Sequence, residues 1–243
     1  GWRRYLVQVL SKFLCLTYRI PLVLAPQTIG PFEHVQNRLV AGFLMKRANK
    51  VFCRDRLSKD YAEQIGVKSV ELATDVAFAL PFESRNGCHQ DGKIHVGMNV
   101  SGLLVRGGYT GANMFSLKMD YARLTERLIR YFLEQENCVL HLVSHVAFSM
   151  ESGLWESPEN DYSASCAIKK KFPLLVVEEI PASPIQAKSL ISGYDFFAGS
   201  RMHACIAAFS AGVPVIPVGY IRKVKGLFDS LGYPLVADCL EEW

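Results

Sequence analysis

The sequence lacks the motifs that mark the commonest nucleotide and metal sites. It contains no G-x-G-x-x-G element, no Walker lysine motif and no metal triad of short ligand spacing. These absences exclude the usual nucleotide-binding explanations and leave open only a nucleotide site without such a motif. The seven cysteines stand singly and form no C-x-x-C pair, which argues against structural zinc. We therefore expect no metal and no cofactor.

Long apolar runs and a concentrated basic charge are also missing. No apolar run reaches the roughly 18 to 20 residues that span a bilayer, and Lys12 and Arg19 interrupt the stretch that would have to be the core of a signal peptide. The formal charge of +4 is dispersed, which argues against a nucleic-acid partner and suits anionic metabolites. The odd number of cysteines fits reduced thiols in a cytosol.

What the chain does contain is an alternation of strands and helices, typical of a parallel α/β sheet. Half of its 243 residues are apolar, enough for one large or two small domains. The polar, turn-rich segment Pro81–Gly92 is the predicted linker between a first domain, 1–82, and a second, 93–243. About three strands are predicted before Asp75, fewer than the ~5 to 6 of a complete sheet. We expect an incomplete first domain and, since Gly1 replaces an initiator Met, a fragment.

One βαβ unit carries the densest chemistry of the chain. An apolar strand ends at Gly199, a helical pattern follows, and Val213–Val218 forms the next strand. Ser200 is the predicted N-cap, and Arg201 and His203 fall in the first helical turn. Backbone N–H groups beside a guanidinium and an imidazole, at the carboxyl end of a strand, predict a site for a small anion with a proton donor next to it. A structural role is the alternative, because most such turns carry no chemistry.

The same stretch resembles a known family. The run GSRMHACIAAFSAGVPVIPVGYIRK resembles the signature of the polysaccharide pyruvyl transferase family, an S-R-[ML]-H turn before a G-x-P strand and a Y-x-x-K element. The likeness extends from about Pro26 to Lys225. Further segments that agree with the family pattern are Gln27–Pro31 (Q-S-I-G-P, with Thr28 for serine), Arg54-Asp55 with Ser58 (R-D-x-x-S), Asp75–Phe78 (D-x-A-F), and His145 with Asn160-Asp161.

This resemblance implies a fold and a reaction. The implied fold consists of two Rossmann-like parallel-sheet domains, as in glycosyltransferases of the B type. The implied reaction moves the enolpyruvyl unit of phosphoenolpyruvate onto two hydroxyls of a cell-surface polysaccharide or its precursor, forming a pyruvate ketal and releasing phosphate. The acceptor would be a sugar or a lipid-linked oligosaccharide. We accordingly expect a cytoplasmic protein at the inner face of the membrane, attached peripherally through its acceptor.

The resemblance also implies roles for individual residues. The donor carries a carboxylate and a phosphate, which calls for planar bidentate cations and point charges. Arg201 and Lys223 are the implied catalytic cations, and His203 is the implied acid that protonates the methylene carbon. The implied substrate-binding residues are Arg54, Ser200, Met202, Gln27, His145 and Asp161.

Other readings of these residues stay open at this stage. Arg54 would have a purely structural role if it formed an ion pair with Asp55 or Asp75. Lys223 lies in a basic run, and such runs usually form a solvent-exposed surface. A two-domain glycosyltransferase that uses a nucleotide sugar would share the fold, although no E-x₇-E element follows the glycine-rich turns. A non-catalytic sugar-binding relative is the third alternative, favoured by the incomplete first domain.

Overall fold

A computed structural model describes residues 2–241, with side chains from Leu6 onward. The outer ends of the two predicted domain ranges, residues 1, 242 and 243, lie outside the described residues. The chain divides into two compact units: Gly1–Val76 with Gly226–Gly232, and Ala77–Lys225 with Tyr233–Trp243. Within residues 2–241, no helix combines the length and the apolar character needed to cross a bilayer.

The first unit is a small parallel sheet with helices. Its elements are α1 (Trp2–Thr17), β1 (Val23–Gln27), α2 (Val35–Arg47), β2 (Lys50–Cys53), α3 (Arg56–Gln64) and β3 (Val70–Leu72). The described strands pair in the order β1-β2-β3, all parallel, which confirms the three strands predicted before Asp75. Val51, Cys53 and Ala62 are fully buried at the centre of its core.

The second unit holds a larger parallel sheet. Its elements are β4 (Ile94–Asn99), α4 (Gly102–Val105), α5 (Tyr121–Leu133), β5 (Cys138–Leu142), α6 (Asp161–Lys171), β6 (Val176–Val177), α7 (Pro184–Ile191), β7 (Phe196–Gly199), α8 (Met202–Ser210), β8 (Val215–Gly219), α9 (Arg222–Ser230, counted with the first unit from Gly226) and β9 (Ala237–Asp238). The six described strands lie parallel in the order β6-β5-β4-β7-β8-β9. This is the 3-2-1-4-5-6 order of dinucleotide-binding folds, and it confirms the predicted α/β class.

The residues of the second unit explain why these elements form. β4 is buried over its last five positions, as expected for a strand covered by helices on both faces. The N-cap of α5 is Asp120, whose carboxylate accepts a hydrogen bond from Arg123 N at 3.0 Å. Tyr121, Thr125 and Ile129 recur at helical spacing on its buried face. The helix is therefore held by a cap at one end and by the core along its length.

One predicted cap is wrong. α8 begins at Met202, and its N-cap is Arg201, which makes no side-chain capping bond. The Ser200 hydroxyl instead pairs with the buried hydroxyl of Tyr121 at 2.6 Å. Ser200 is only 2% exposed, so satisfying a buried hydroxyl on a distant helix takes precedence over local capping.

The predicted linker, Pro81–Gly92, carries neither helix nor strand. It is nevertheless bound to the second unit, because the backbone N–H groups of Glu83 and Arg85 each donate to a serine hydroxyl of the α7 region at 2.9 Å. The start of this segment is thus an ordered part of the second unit.

We predict that Gly30→Ala destabilises the first unit. Gly30 has φ +58°, and an added Cβ would lie 2.3 Å from the Tyr61 ring. The left-handed backbone and the displaced ring together cost roughly 2 to 5 kcal/mol. Chemical denaturation measures the loss. The control is Gly232→Ala, which has φ +71° but no neighbouring atom within 4 Å. Equal losses in the two variants would show that the Tyr61 ring makes no steric demand.

Candidate functional site

In the second sheet, the strand order switches from one side of β4 to the other, so that β4 and β7 are neighbours at the switch point. From β4 the chain builds β5 and β6 on one side, and β7, β8 and β9 follow on the other. In open parallel sheets, ligands bind beyond the carboxyl ends of the strands at such a point. Asn99 ends β4 and Gly199 ends β7, and the two are register partners. The Ser200–His203 turn therefore lies where this fold places its ligands.

A buried carboxylate, Asp161, holds the loops at this edge together. Its side chain is fully buried and accepts hydrogen bonds from the backbone of Gly102 at 3.0 Å and of Val146 at 3.1 Å. Nη2 of Arg201 donates to its Oδ1 at 2.8 Å, and Nε donates to both carboxylate oxygens. Asp161 is the first residue of α6, where the helix dipole favours a negative charge.

The amide of Asn99 adds a second connection between the strand ends. Its Nδ2 donates to the carbonyl of Val143, after β5, at 2.9 Å. Its Oδ1 accepts from the backbone N–H of Arg201, after β7, at 2.9 Å. Asn99 is 1% exposed, so this one side chain ties three neighbouring strands together inside the protein.

Arg201 is held in a single orientation. Besides the ion pair, its Nη2 donates to the carbonyl of Glu159 at 3.0 Å, and 11% of the side chain stays accessible. Burial by itself would lower the pKa of Arg201, but the hydrogen bond and the charge of Asp161 outweigh burial and raise that pKa. The guanidinium is thus a fixed, permanent positive charge at the carboxyl edge of the second sheet.

Two imidazoles lie beside this pair. The rings of His145 and His203 stack with centroids 6.0 Å apart and planes 18° from parallel. Both side chains are exposed, yet the atoms around His145 remove much of its hydration. This desolvation, with the nearby His203 and Arg201, lowers the pKa of His145 to about 4 against the opposing effect of Asp161. His145 is therefore neutral near pH 7.

Two tyrosines of the site were missed by the sequence prediction. Tyr220 follows β8, is 8% exposed and packs edge-on against Phe115 at 5.1 Å. Burial raises its pKa, while the charge of Arg201 opposes that rise. The hydroxyl of Tyr109 hydrogen-bonds to the carboxylate of Glu159 and joins the two long loops of this edge. The Y-x-x-K element of the sequence could have pointed to Tyr220, whereas no sequence motif marks Tyr109.

The first unit has its own arginine at a strand end. Arg54 follows β2, its Nε donates to the Thr28 hydroxyl at 2.8 Å, and its Nη1 pairs with Asp75 at 2.6 Å. The backbone carbonyl of Gln27 accepts from Arg54 N at 3.3 Å. Of the two partners considered for Arg54, the structure shows Asp75. Asp55 instead caps α3 through Ser58 N.

The predicted site residues fall into three groups. Arg201, His203, His145 and Asp161 come together at the β4–β7 edge. Ser200 and Met202 are 2% and 6% exposed, so their side chains belong to the core. Lys223 is exposed in the first turn of α9, and Arg54 and Gln27 belong to the first unit. Among residues 2–241, no group of three or more His, Cys, Asp or Glu side chains is arranged to hold a metal ion.

We predict that Asp161→Asn costs roughly 3 to 5 kcal/mol of unfolding free energy, because it leaves the buried guanidinium of Arg201 without its counter-charge. Urea denaturation measures the loss. The control is Glu71→Gln, which removes the exposed ion pair of Glu71 with Lys50, whose side chains are 50% and 48% accessible, respectively. At most ~1 kcal/mol of unfolding free energy should be lost in this control. A loss at Asp161 no larger than that of the control would contradict its role in holding the loops.

We also predict that His145 titrates well below the ordinary range of histidine. Its folded-state pKa is near 4, so the unfolded chain binds more protons at this position between pH ~6.5 and ~4. The stability that neutral His145 contributes to the fold is therefore present above pH ~6.5 and is lost as the pH falls from ~6.5 to ~4. Resonances of His145 in a two-dimensional NMR titration, assigned through His145→Gln, give the pKa. A midpoint near 6.5 would contradict the prediction.

Comparison with known proteins gives the chain a matching family and a curated relative. Residues 1–222 match the family model described as polysaccharide pyruvyl transferase. The amylovoran biosynthesis protein AmsJ of Erwinia amylovora is 21% identical over 238 residues, which cover 92% of this chain and 55% of AmsJ. The chain thus spans about half the length of this curated relative.

Two solved structures share its fold. The putative UDP-N-acetylglucosamine 2-epimerase of Listeria monocytogenes superposes with a TM-score of 0.53 at 14% identity, covering 86% of this chain and 53% of its own. HepE of Anabaena, solved with UDP and glucose, gives a TM-score of 0.50 at 14% identity, covering 86% and 56%. At this identity they show the fold alone, which agrees with the predicted glycosyltransferase-B-like class. Because the family model extends over most of its length, the chain belongs to the polysaccharide pyruvyl transferase family.

Proposed function

We propose that this chain carries the donor side of a pyruvyl transfer from phosphoenolpyruvate to a sugar, with a pyruvate ketal and phosphate as products. The observation that carries the proposal is the arrangement at the β4–β7 edge, where Arg201 is fixed by Asp161 and His203 stacks beside the neutral His145. Family membership supplies the reaction class. The acceptor is a sugar or a lipid-linked oligosaccharide of a cell-surface polysaccharide.

The donor is a small molecule with two anionic groups, and the proposed site offers several positive partners. α8 and α9 start directly after the neighbouring strands β7 and β8, and both helix N-termini attract anions. Arg201 precedes the first helix, and Lys223 is exposed in the first turn of the second. Ser200 and Met202 contribute through their backbone, since their side chains are buried.

Proton transfer is assigned to the two imidazoles. His203 gives its proton to the methylene carbon of the donor, which becomes a methyl group while the adjacent carbon develops positive charge. A sugar hydroxyl adds to that carbon, phosphate leaves, and a second hydroxyl closes the ketal. One hydroxyl proton restores His203, and the other leaves with phosphate. Neutral His145 accepts a hydrogen bond from an acceptor hydroxyl, because two neighbouring imidazoles in different surroundings divide such roles.

The structure suggests a revised role for Asp161. Its oxygens are occupied by backbone N–H groups and by Arg201, so we assign it to positioning the guanidinium rather than to contacting the sugar. Arg54 and Gln27, in the first unit, remain proposed substrate ligands, and Asp75 holds Arg54 as Asp161 holds Arg201. The proposed reaction uses no metal and no cofactor, since side chains supply the proton and the charges. The proposed location is cytoplasmic, at the inner face of the membrane.

Donor binding and turnover test the proposal separately. Calorimetric titration with phosphoenolpyruvate should show binding that Arg201→Lys weakens roughly 10- to 100-fold, because lysine cannot reproduce the two-point bond to Asp161 that fixes the positive charge of Arg201. His203→Ala should retain donor binding and lower ketal formation by ~10² to 10⁴, followed by phosphate release and mass spectrometry.

The controls separate function from folding. Arg106→Lys also removes partly buried guanidinium bonds, to Ser157 O and Ser163 Oγ, but at a residue with no proposed contact to the donor. His34→Ala changes an exposed histidine before α2. Unchanged turnover in His203→Ala would remove His203 from the acid role. Tighter binding of UDP-glucose than of phosphoenolpyruvate would favour a nucleotide-sugar glycosyltransferase instead.

A further inference from the structure

Two buried histidines outside the proposed active site are joined into a continuous hydrogen-bonded chain. Nδ1 of His95, in β4, lies 2.8 Å from Nε2 of His141, in β5. The remaining nitrogen of His95 lies 3.0 Å from a carboxylate oxygen of Asp91, and that of His141 lies 2.6 Å from one of Glu178. The histidines are 5% and 6% exposed, so water does not replace these contacts freely.

The number of protons on the four ring nitrogens of His95 and His141 follows from the geometry of their hydrogen bonds. Ionised carboxylates accept but do not donate, so each outer contact requires an N–H on the facing imidazole. The central contact joins two nitrogens and requires one further N–H. Three hydrogen bonds therefore need three protons on four ring nitrogens. One imidazole is then neutral and one is an imidazolium, and the pair carries a single positive charge.

The groups around the pair agree with this count. Hydrogen bonds from the imidazoles lower the pKa of Asp91 and of Glu178, so both are ionised at neutral pH. His89 stacks on His95 with centroids 3.6 Å apart, and desolvation, with the positive charge of the neighbouring imidazole pair, lowers the pKa of His89. Four other titratable or charged groups lie in this region. Asp195 accepts a hydrogen bond from His95 N at 2.7 Å, and the ring of Tyr194 lies 5.1 Å from that of His141. Cys88 and Arg85 lie beside Gly193.

The hydrogen bonds of His95 and His141 connect the second sheet to the segment that follows the first unit and precedes β4. Asp91 and His89 both belong to residues 85–92, which we call the clasp segment, and both contact His95. The same segment is fixed at its start by the bond from Arg85 N to the Ser192 hydroxyl. The clasp segment is therefore attached at one end by an uncharged contact and at the other by the imidazole pair.

We propose that the His95–His141 pair holds the clasp segment on the sheet while the pair carries at least one extra proton, and releases the segment when that proton is lost. Loss of that proton leaves two protons for three contacts. The contact with Asp91 then breaks, because the Asp91 side chain is 47% accessible and can be hydrated, whereas Glu178 is 23% accessible. Gain of a second proton instead places two N–H groups head to head across 2.8 Å. Gain of the second proton therefore breaks the central contact and leaves Asp91 bonded to His95, whereas loss of the first proton loosens residues 85–92.

This proposal fixes the sign of the pH dependence. In the unfolded chain both histidines lose their protons around pH ~6.5, so the pair goes from two protons to none. The three contacts of the folded protein require one of these two protons. Below pH ~6.5 the unfolded state binds more protons and stability falls with falling pH; above it the folded state binds more and stability falls with rising pH. The unfolding constant attributable to the pair rises up to about tenfold per pH unit in each direction.

The first test measures stability against pH in the intact chain. Urea denaturation from pH 5 to 9 is compared between the wild type, His141→Gln and the control His34→Gln, which alters an exposed histidine of the first unit. The stability difference between wild type and His141→Gln should peak near pH 6.5 and decline on both sides, and that between wild type and His34→Gln should not. A difference that is flat or changes monotonically with pH overturns the proposal.

The second test needs no core substitution. ¹⁵N NMR of imidazole-labelled wild type at pH 7 should show three protonated nitrogens and one bare nitrogen in the His95–His141 pair. Hydrogen exchange, corrected for its intrinsic pH dependence, should be faster in residues 85–92 at pH 8.5 than at pH 6.5, and Asp91→Asn should abolish most of that difference. Two protonated nitrogens at pH 7, or equal protection at both pH values, overturns the proposal.

Discussion

The candidate site depends on one buried ion pair, Asp161 with Arg201. Burying two charges is costly, and their attraction repays that cost only when every remaining hydrogen-bonding group is satisfied. Here the carboxylate lies at a helix N-terminus and accepts from the backbone of three loop residues, and the guanidinium also donates to a carbonyl. The pair therefore holds the loops after β4, β5 and β7 in one arrangement, and it keeps a positive charge at the carboxyl edge of the sheet.

The first unit repeats this arrangement on a smaller sheet. Arg54 leaves the middle strand and pairs with Asp75 from the loop after the next strand, and its side chain is 11% accessible, as is that of Arg201. In both units a largely buried aspartate holds the guanidinium in a fixed position. Each sheet thus presents a cation at its carboxyl edge whose position is set before any anion arrives.

The sequence predicted the fold class well, because alternating strands and helices leave few arrangements other than a parallel sheet. It also pointed to Arg201 and His203, which stand within one turn. It failed where the structure depends on partners distant in the chain. Ser200 carries a local capping pattern, but Tyr121, 79 residues away, takes its hydroxyl. His95 and His141 are 46 residues apart in apolar strands and show no shared pattern, so only the register of β4 and β5 brings their rings together.

The order of the second sheet has a consequence for the way this protein is made. β4 lies at the centre, but its partner β7 follows roughly 100 residues later, with Asn99 opposite Gly199. At about 5 to 20 residues per second, a ribosome needs on the order of 5 to 20 s to deliver that partner. During this interval one side of the nascent β4 has unpaired backbone groups, open to wrong pairing or to chaperones. The residues proposed to bind the donor are brought together only after that, so this edge of the sheet takes shape only once β7 has been synthesised.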